Sequence, residues 1–283
     1  MPTWLIFALT AAVLFGSSQV LMKKGLSNIS PLWNNIIGNI LALLWIPAAL
    51  WLNQGKINWP SLPILSLLII AASFYCAYPY ALNKGKVALT GTVIAICPLF
   101  TITMARLFLK ESINSQQIVG AVIILISIVL VGLPKKNLDK SFRDLSWLKW
   151  GLGYAFLGGT ADFLVKISAN QIGAYSNILI LTLIYQATSP INYWLDKSGR
   201  TLPKFSAKKF APTLAGIIVL LAGSFIFLTS FDYGPVSLIS PVTGSYPVVT
   251  VLLATTFLKE KLNAKQLTGI IGVILGIILV GMG

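Results

Sequence analysis

The sequence predicts an all-α integral membrane protein of ten transmembrane helices, built as two inverted five-helix repeats, and three observations carry that expectation. Of the 283 residues, 56% are hydrophobic and only 10% charged, with a mean hydropathy of +0.84, a balance foreign to domains that fold in water. Apolar stretches of about 20 residues recur along the chain, the length a helix needs to cross a hydrocarbon core of roughly 30 Å. The alternating segments of roughly ten residues that would signal a β-barrel are absent. The third observation is a long internal repeat, described below.

Reading from break to break gives helices near residues 3–22, 33–52, 63–83, 87–109 and 115–133, then near 147–168, 174–195, 210–232, 236–258 and 265–281. The first of these lacks a basic leader, and Lys23 and Lys24 follow the apolar run, which is the wrong polarity for a cleaved signal. Seven of the eight Trp residues fall at or near helix boundaries, where an amphipathic ring is best accommodated; only Trp45 sits well inside a span.

Charge sets the orientation. Of the 21 Lys and Arg residues, only Lys56, Arg106, Lys110 and Lys166 fall on one side of the ten-helix scheme, and the other 17 gather on the opposite side. Because basic loops stay in the cytoplasm, both termini are expected outside a cytoplasmic (inner) cell membrane. The net charge of +14 is therefore a topology signal, and no nucleic-acid partner is expected.

Residues 81–132 align without a gap to residues 230–281. Gly85, Pro98, Phe108, Leu109, Lys110, Glu111, Asn114, Gln117 and Gly120 find identical partners in Gly234, Pro247, Phe257, Leu258, Lys259, Glu260, Asn263, Gln266 and Gly269. Apolar composition does not produce F-L-K-E-x-x-N-x-x-Q-x-x-G twice in register. Trp4, Leu5, Gly16, Leu21 and Lys23 likewise match Trp147, Leu148, Gly159, Leu164 and Lys166. The domain boundaries follow: a first repeat over 1–134, a basic cytoplasmic linker over 135–146, and a second repeat over 147–283. Five is odd, so the two copies must cross the membrane in opposite senses. Their loops agree, since Asn83–Lys86 carries two Lys where Asp232–Pro235 has none, and Glu260–Lys265 carries two more than Glu111–Gln116.

Ten spans, two copies of F-L-K-E ahead of a glycine-rich apolar helix, and a proline in the middle of the preceding helix resemble the EamA-type branch of the drug/metabolite transporter superfamily. The resemblance covers essentially the whole chain. It implies a secondary transporter, an exporter or exchanger of small metabolites or amino acids, with a central cavity between the halves and the fifth and tenth helices peripheral. It fixes no substrate.

Asp162 is the only one of seven carboxylates that falls inside a span. A charge at that depth costs about 2.5 to 3.5 kcal/mol on insertion scales, so it faces a cavity or a partner. Lys166, four residues on, lies on the same helix face and is positioned to neutralise it. Gln19 is the repeat mate of Asp162, so these three are the candidates for substrate recognition or for coupling to a proton or other ion. A structural pair at a helix end is the alternative. Pro98 and Pro247 are expected to kink their helices and free a carbonyl, which is tolerated where a helix lines a cavity. Asn39, Tyr75, Tyr78, Gln186, Thr243, Ser245 and Tyr246 complete the candidate lining, with interhelical hydrogen bonds as the competing role. Gly272 and Gly276 form a G-x-x-x-G step, expected to serve either packing or self-association.

The inventory excludes other classes. With no His and with Cys76 and Cys97 in separate spans, no metal site or cofactor is expected. One buried carboxylate is a poor basis for an enzyme. No phosphate-binding G-x-x-x-x-G-K-[ST] loop is present to drive a pump. The remaining rivals are a protein that handles lipids or sugar conjugates and a non-transporting membrane scaffold.

Overall fold

A computed structural model of the chain describes residues 1–23, 29–83, 93–132, 146–201, 207–258 and 262–283, and every regular element among them is helical. The first half holds α1 (Thr3–Lys23), α2 (Pro31–Ala42), α3 (Trp45–Leu52), α4 (Leu62–Tyr75), α5 (Tyr78–Asn83), α6 (Cys97–Met104) and α7 (Ser115–Gly132). The second holds α8 (Ser146–Ile172), α9 (Ala174–Leu195), α10 (Ala207–Thr229), α11 (Val236–Gly244), α12 (Tyr246–Leu258) and α13 (Ala264–Met282). Helix occurs at all ten expected positions, the fourth being described from residue 93 onward. Seven of these are long and apolar enough to cross a membrane. Of the rest, α6 is short, while α8 and α9 carry Asp162, Lys166, Asn177, Gln186 and Asn192, polar groups that dilute the apolar signal. The basic linker expected at 135–146 lies, but for Ser146, outside the described residues.

Four of the expected rods are broken, and each break comes just ahead of a proline: Leu43–Leu44 before Pro47, Cys76–Ala77 before Pro79, Ala95–Ile96 before Pro98, and Ser245 before Pro247. A proline has no N–H for the carbonyl four residues back and its ring crowds that carbonyl. The kink expected at Pro98 and Pro247 is thus a full interruption. Each proline then sits in the first turn of the next helix, where its missing donor costs nothing.

Packing obeys the repeat. Helix α1 of the first half lies on α10 and on the α11–α12 rod of the second, and α8 of the second half lies on α4 and α6 of the first. The agreement extends to atoms. A Cβ on Gly159 would sit 2.5 Å from the Cys97 carbonyl oxygen, and one on its repeat mate Gly16 would sit 2.8 Å from the oxygen of Tyr246, the mate of Cys97. The Thr101 hydroxyl donates to Gly159 O at 3.1 Å, and its mate Thr250 donates to Gly16 O at 3.2 Å. Only glycine lets the two halves approach so closely.

The last helices of the halves, α7 and α13, pair with each other. A Cβ on Gly276 would meet Gly120 O at 2.8 Å, and one on Gly272 would meet the Ser127 hydroxyl. Both glycines of the step therefore pack against α7 of the same chain. The duplicated Asn and Gln are capping boxes at the starts of these helices. Asn114 N–H donates to Gln117 Oε1 while Gln117 N–H donates to Asn114 Oδ1, and Asn263 and Gln266 repeat the exchange.

Gly159 and Gly153 share α8 but should respond oppositely to alanine. Gly159→Ala lowers stability by about 1 to 3 kcal/mol through overpacking. Gly153→Ala, with nothing within 4 Å of its Cβ, raises it by about 0.5 to 1 kcal/mol through helix propensity. Thermal melts in detergent check both signs.

Candidate functional site

The broken rods surround a cavity of about 260 Å³ that draws its walls from both halves. Along α8, Tyr154, Gly158 and Asp162 face it at successive four-residue steps. Phe15 and Gln19 of α1 and the Ile217–Leu228 stretch of α10 bound it from other directions. At three breaks the residues deprived of a helical partner by proline, Tyr75, Ile94 and Thr243, are themselves in the wall. Loss of a helical partner in this way is tolerated at depth where the residue borders a cavity.

The repeat mates Asp162 and Gln19 are held alike. Tyr75, the last residue of α4, donates its hydroxyl to Asp162 Oδ1 at 2.7 Å. Gln19 donates through Nε2 to the hydroxyl of Tyr78, the first residue of α5. One interrupted rod thus supplies a tyrosine to each half. Asp162 is only 9% exposed, and among the described residues no hydrogen bond reaches its second carboxylate oxygen.

Lys166 does not neutralise Asp162. Its ammonium turns toward the end of the molecule that carries both termini and donates to the carbonyls of Phe231 and Gly234. Backbone oxygens there offer several acceptors at once, whereas Asp162 sits a full turn further into the wall. The side chain of its repeat mate Lys23 lies outside the described set. Around Lys166, polar contacts link the two halves at the terminal end. Glu111 accepts from the N–H groups of Val236 and Ser237, both at 3.0 Å, and so caps the N-terminus of α11. Asp232 does the same for Ala174 at the start of α9. The F-L-K-E glutamate of one half therefore holds the start of a rod in the other; its mate Glu260 lies outside the described residues.

At the opposite end, Asp196 accepts from Tyr80 at 2.9 Å, from the Ser198 hydroxyl at 2.7 Å and from Gly199 N–H at 2.8 Å. Its slight burial acts to raise the carboxyl, but these donors outweigh it and hold the group below the ordinary aspartate range. That contact joins α5 of one half to the end of α9 in the other.

Of the expected lining, Asn39, Tyr75, Tyr78, Thr243, Tyr246 and Pro98 do border the cavity. Gln186, Ser245 and Pro247 do not. Gln186 donates to Asn39 O at 2.6 Å, an interhelical bond, and Ser245 donates to Val242 O at 2.6 Å across the break. Asn39 itself donates to Tyr185 O and the Ser189 hydroxyl, both at 2.9 Å, which fixes α2 to α9. Sequence reasoning missed Asn34, Trp45, Tyr154 and Tyr185. Two of them had a signal: Trp45 is the one Trp away from a boundary, and Tyr154 lies eight residues before Asp162 on the same helical stripe.

The EamA-like transporter family matches the chain twice, over residues 2–133 and 145–282. The chain belongs to that family. An uncharacterized transporter of Archaeoglobus fulgidus is 24% identical over 296 residues, covering 99% of each chain. An uncharacterized protein of Methanocaldococcus jannaschii is 30% identical over 137 residues, which is 98% of its own length but 47% of this EamA-like chain. Among solved structures, a crystal structure superposes with a TM-score of 0.80 at 14% identity, over 99% of this chain and 96% of the other, and so shares its fold. Membership makes this a multi-pass membrane protein of a transporter family.

Proposed function

We propose that this EamA-like protein is a secondary transporter, an exporter or exchanger of small solutes that works by alternating access across the cytoplasmic membrane. The carrying observation is the cavity itself. Its wall is shared by the two inverted halves, and its polar centre is the repeat pair Asp162 and Gln19. Two related halves can exchange roles when one side opens and the other closes.

The cavity is displaced from the end that carries the termini. There Leu5, Ala8, Ala11, Val165, Ala169, Val236 and Ile239 are buried against one another, above the polar ties of Lys166, Glu111 and Asp232. By the charge asymmetry this packed end is the external one, so the arrangement corresponds to a state closed to the outside. Opening it requires Lys166 to leave the Phe231 and Gly234 carbonyls. Asp162 is the residue best placed to bind a coupling ion or the charge of a substrate, because it is a carboxylate in the wall with one oxygen that no hydrogen bond reaches among the described residues.

In reconstituted vesicles, Asp162→Asn is expected to reduce transport tenfold or more, or to remove its pH dependence; transport unchanged in both respects returns Asp162 to a structural role. Reporter fusions should place both termini outside the cell. A cytoplasmic C-terminus would overturn the assignment of the closed end.

A further inference from the structure

We infer that the cavity accepts organic cations: small amines or quaternary ammonium compounds whose charge sits against Asp162 and whose carbon frame lies among the surrounding rings. This deepens the transport reading and rests on the cavity being the transport site.

Charge is the first argument. Asp162 is the one charged side chain in the described wall, and no Lys or Arg of the described residues lines the cavity. The nearest cation along the helix, Lys166, is committed to Phe231 and Gly234. A carboxylate at membrane depth that, among the described residues, has a single tyrosine donor and no counter-ion in the wall favours a ligand that brings positive charge. An anionic solute, or the carboxylate of a zwitterion, would meet Asp162 with no Lys or Arg among the described wall residues to balance it.

The shape and chemistry of the wall give the second argument. Tyr75 donates to Asp162 at 2.7 Å, and Tyr154 and Tyr185 line the same cavity. Tyr154 packs on Tyr78 with ring centroids 5.3 Å apart, and Tyr185 faces Trp45 at 6.4 Å. Electron-rich ring faces arranged about a carboxylate attract a desolvated ammonium from several sides, and they do so without demanding fixed hydrogen-bond directions. A neutral sugar would need the reverse, a wall rich in directed polar groups.

Size is the third. About 260 Å³ lies just under the roughly 300 Å³ at which pockets for drug-sized ligands begin, so a single-ring cation fits and a nucleotide conjugate does not. Asn34, 6% exposed, also borders the cavity, and its Nδ2 has no partner among the described residues. It can serve one acceptor on the far end of the ligand.

The test is direct binding to the purified full-length protein in detergent, by calorimetry, of three probes of similar size: benzyltrimethylammonium, neutral N-benzylacetamide and anionic phenylacetate. The cation should bind at least tenfold more tightly than either of the others. Asp162→Asn should remove that preference while the thermal melt confirms a folded protein, and Tyr154→Phe should keep it where Tyr154→Leu weakens it. Equal or tighter binding of the neutral or anionic probe, an unchanged preference in Asp162→Asn, or no cation binding by folded wild type would each overturn the inference. Vesicle flux separates the two readings: selective binding with no flux of the cation counts against transport alone, whereas flux of phenylacetate in preference to the cation counts against the ligand class alone.

Discussion

The approach of each half's first helix to the other half's fourth rod is the constraint on which the rest depends. Gly16 under the Tyr246 carbonyl and Gly159 under the Cys97 carbonyl bring backbones into contact, and Thr250 and Thr101 tie each meeting with a hydrogen bond across it. Between helices in lipid there is little hydrophobic drive, so close backbone packing and interhelical hydrogen bonds supply the association. Both meetings occur beside a helix break, because Cys97 and Tyr246 open the helices that follow the interruptions. A Cβ on Gly244 would lie 2.7 Å from the Pro98 ring, so the two breaks also meet each other. The cavity lies beside this junction, with Cys97, Pro98, Gly244 and Tyr246 in its wall.

From that geometry follows the division of the molecule into a polar centre and a packed end. Placing Asp162 and Gln19 at the same repeat position gives each half one polar group at the junction, and the tyrosines of one rod serve both. Beyond them toward the terminal end, the same helices carry Ala, Leu and Val into an apolar interior. Three charges there meet backbone: Glu111 and Asp232 accept from helix N-termini and Lys166 donates to carbonyls, with no ion pair among the described residues.

Much of this was legible in the sequence, and the reasons for the exceptions are physical. Hydropathy and the ungapped repeat located the helices and the two-fold relation, because span length and register leave a periodic trace. The spacing of Asp162 and Lys166 gave a shared face but not a contact: two side chains on one face can diverge along the helix axis, and the Phe231 and Gly234 carbonyls are invisible to spacing. Gln186 was an apt guess for a polar group at depth, yet whether such a group faces a cavity or a neighbouring helix depends on tertiary packing. The N-x-x-Q pattern entered only as part of the repeat, although its local chemistry is that of a capping box. Glu111 could not be read, because its partners lie 125 and 126 residues away in the other half.

Accessibility of the cavity from the two sides of the membrane tests the central claim most directly. Ser224 of α10 borders the cavity, and the described thiols Cys76 and Cys97 can be replaced by serine to leave a single Ser224→Cys reporter. If the halves alternate around a shared site, a membrane-impermeant maleimide labels that thiol in right-side-out vesicles and in inside-out vesicles. Labelling from one side alone, under every substrate and ion condition, would contradict alternating access.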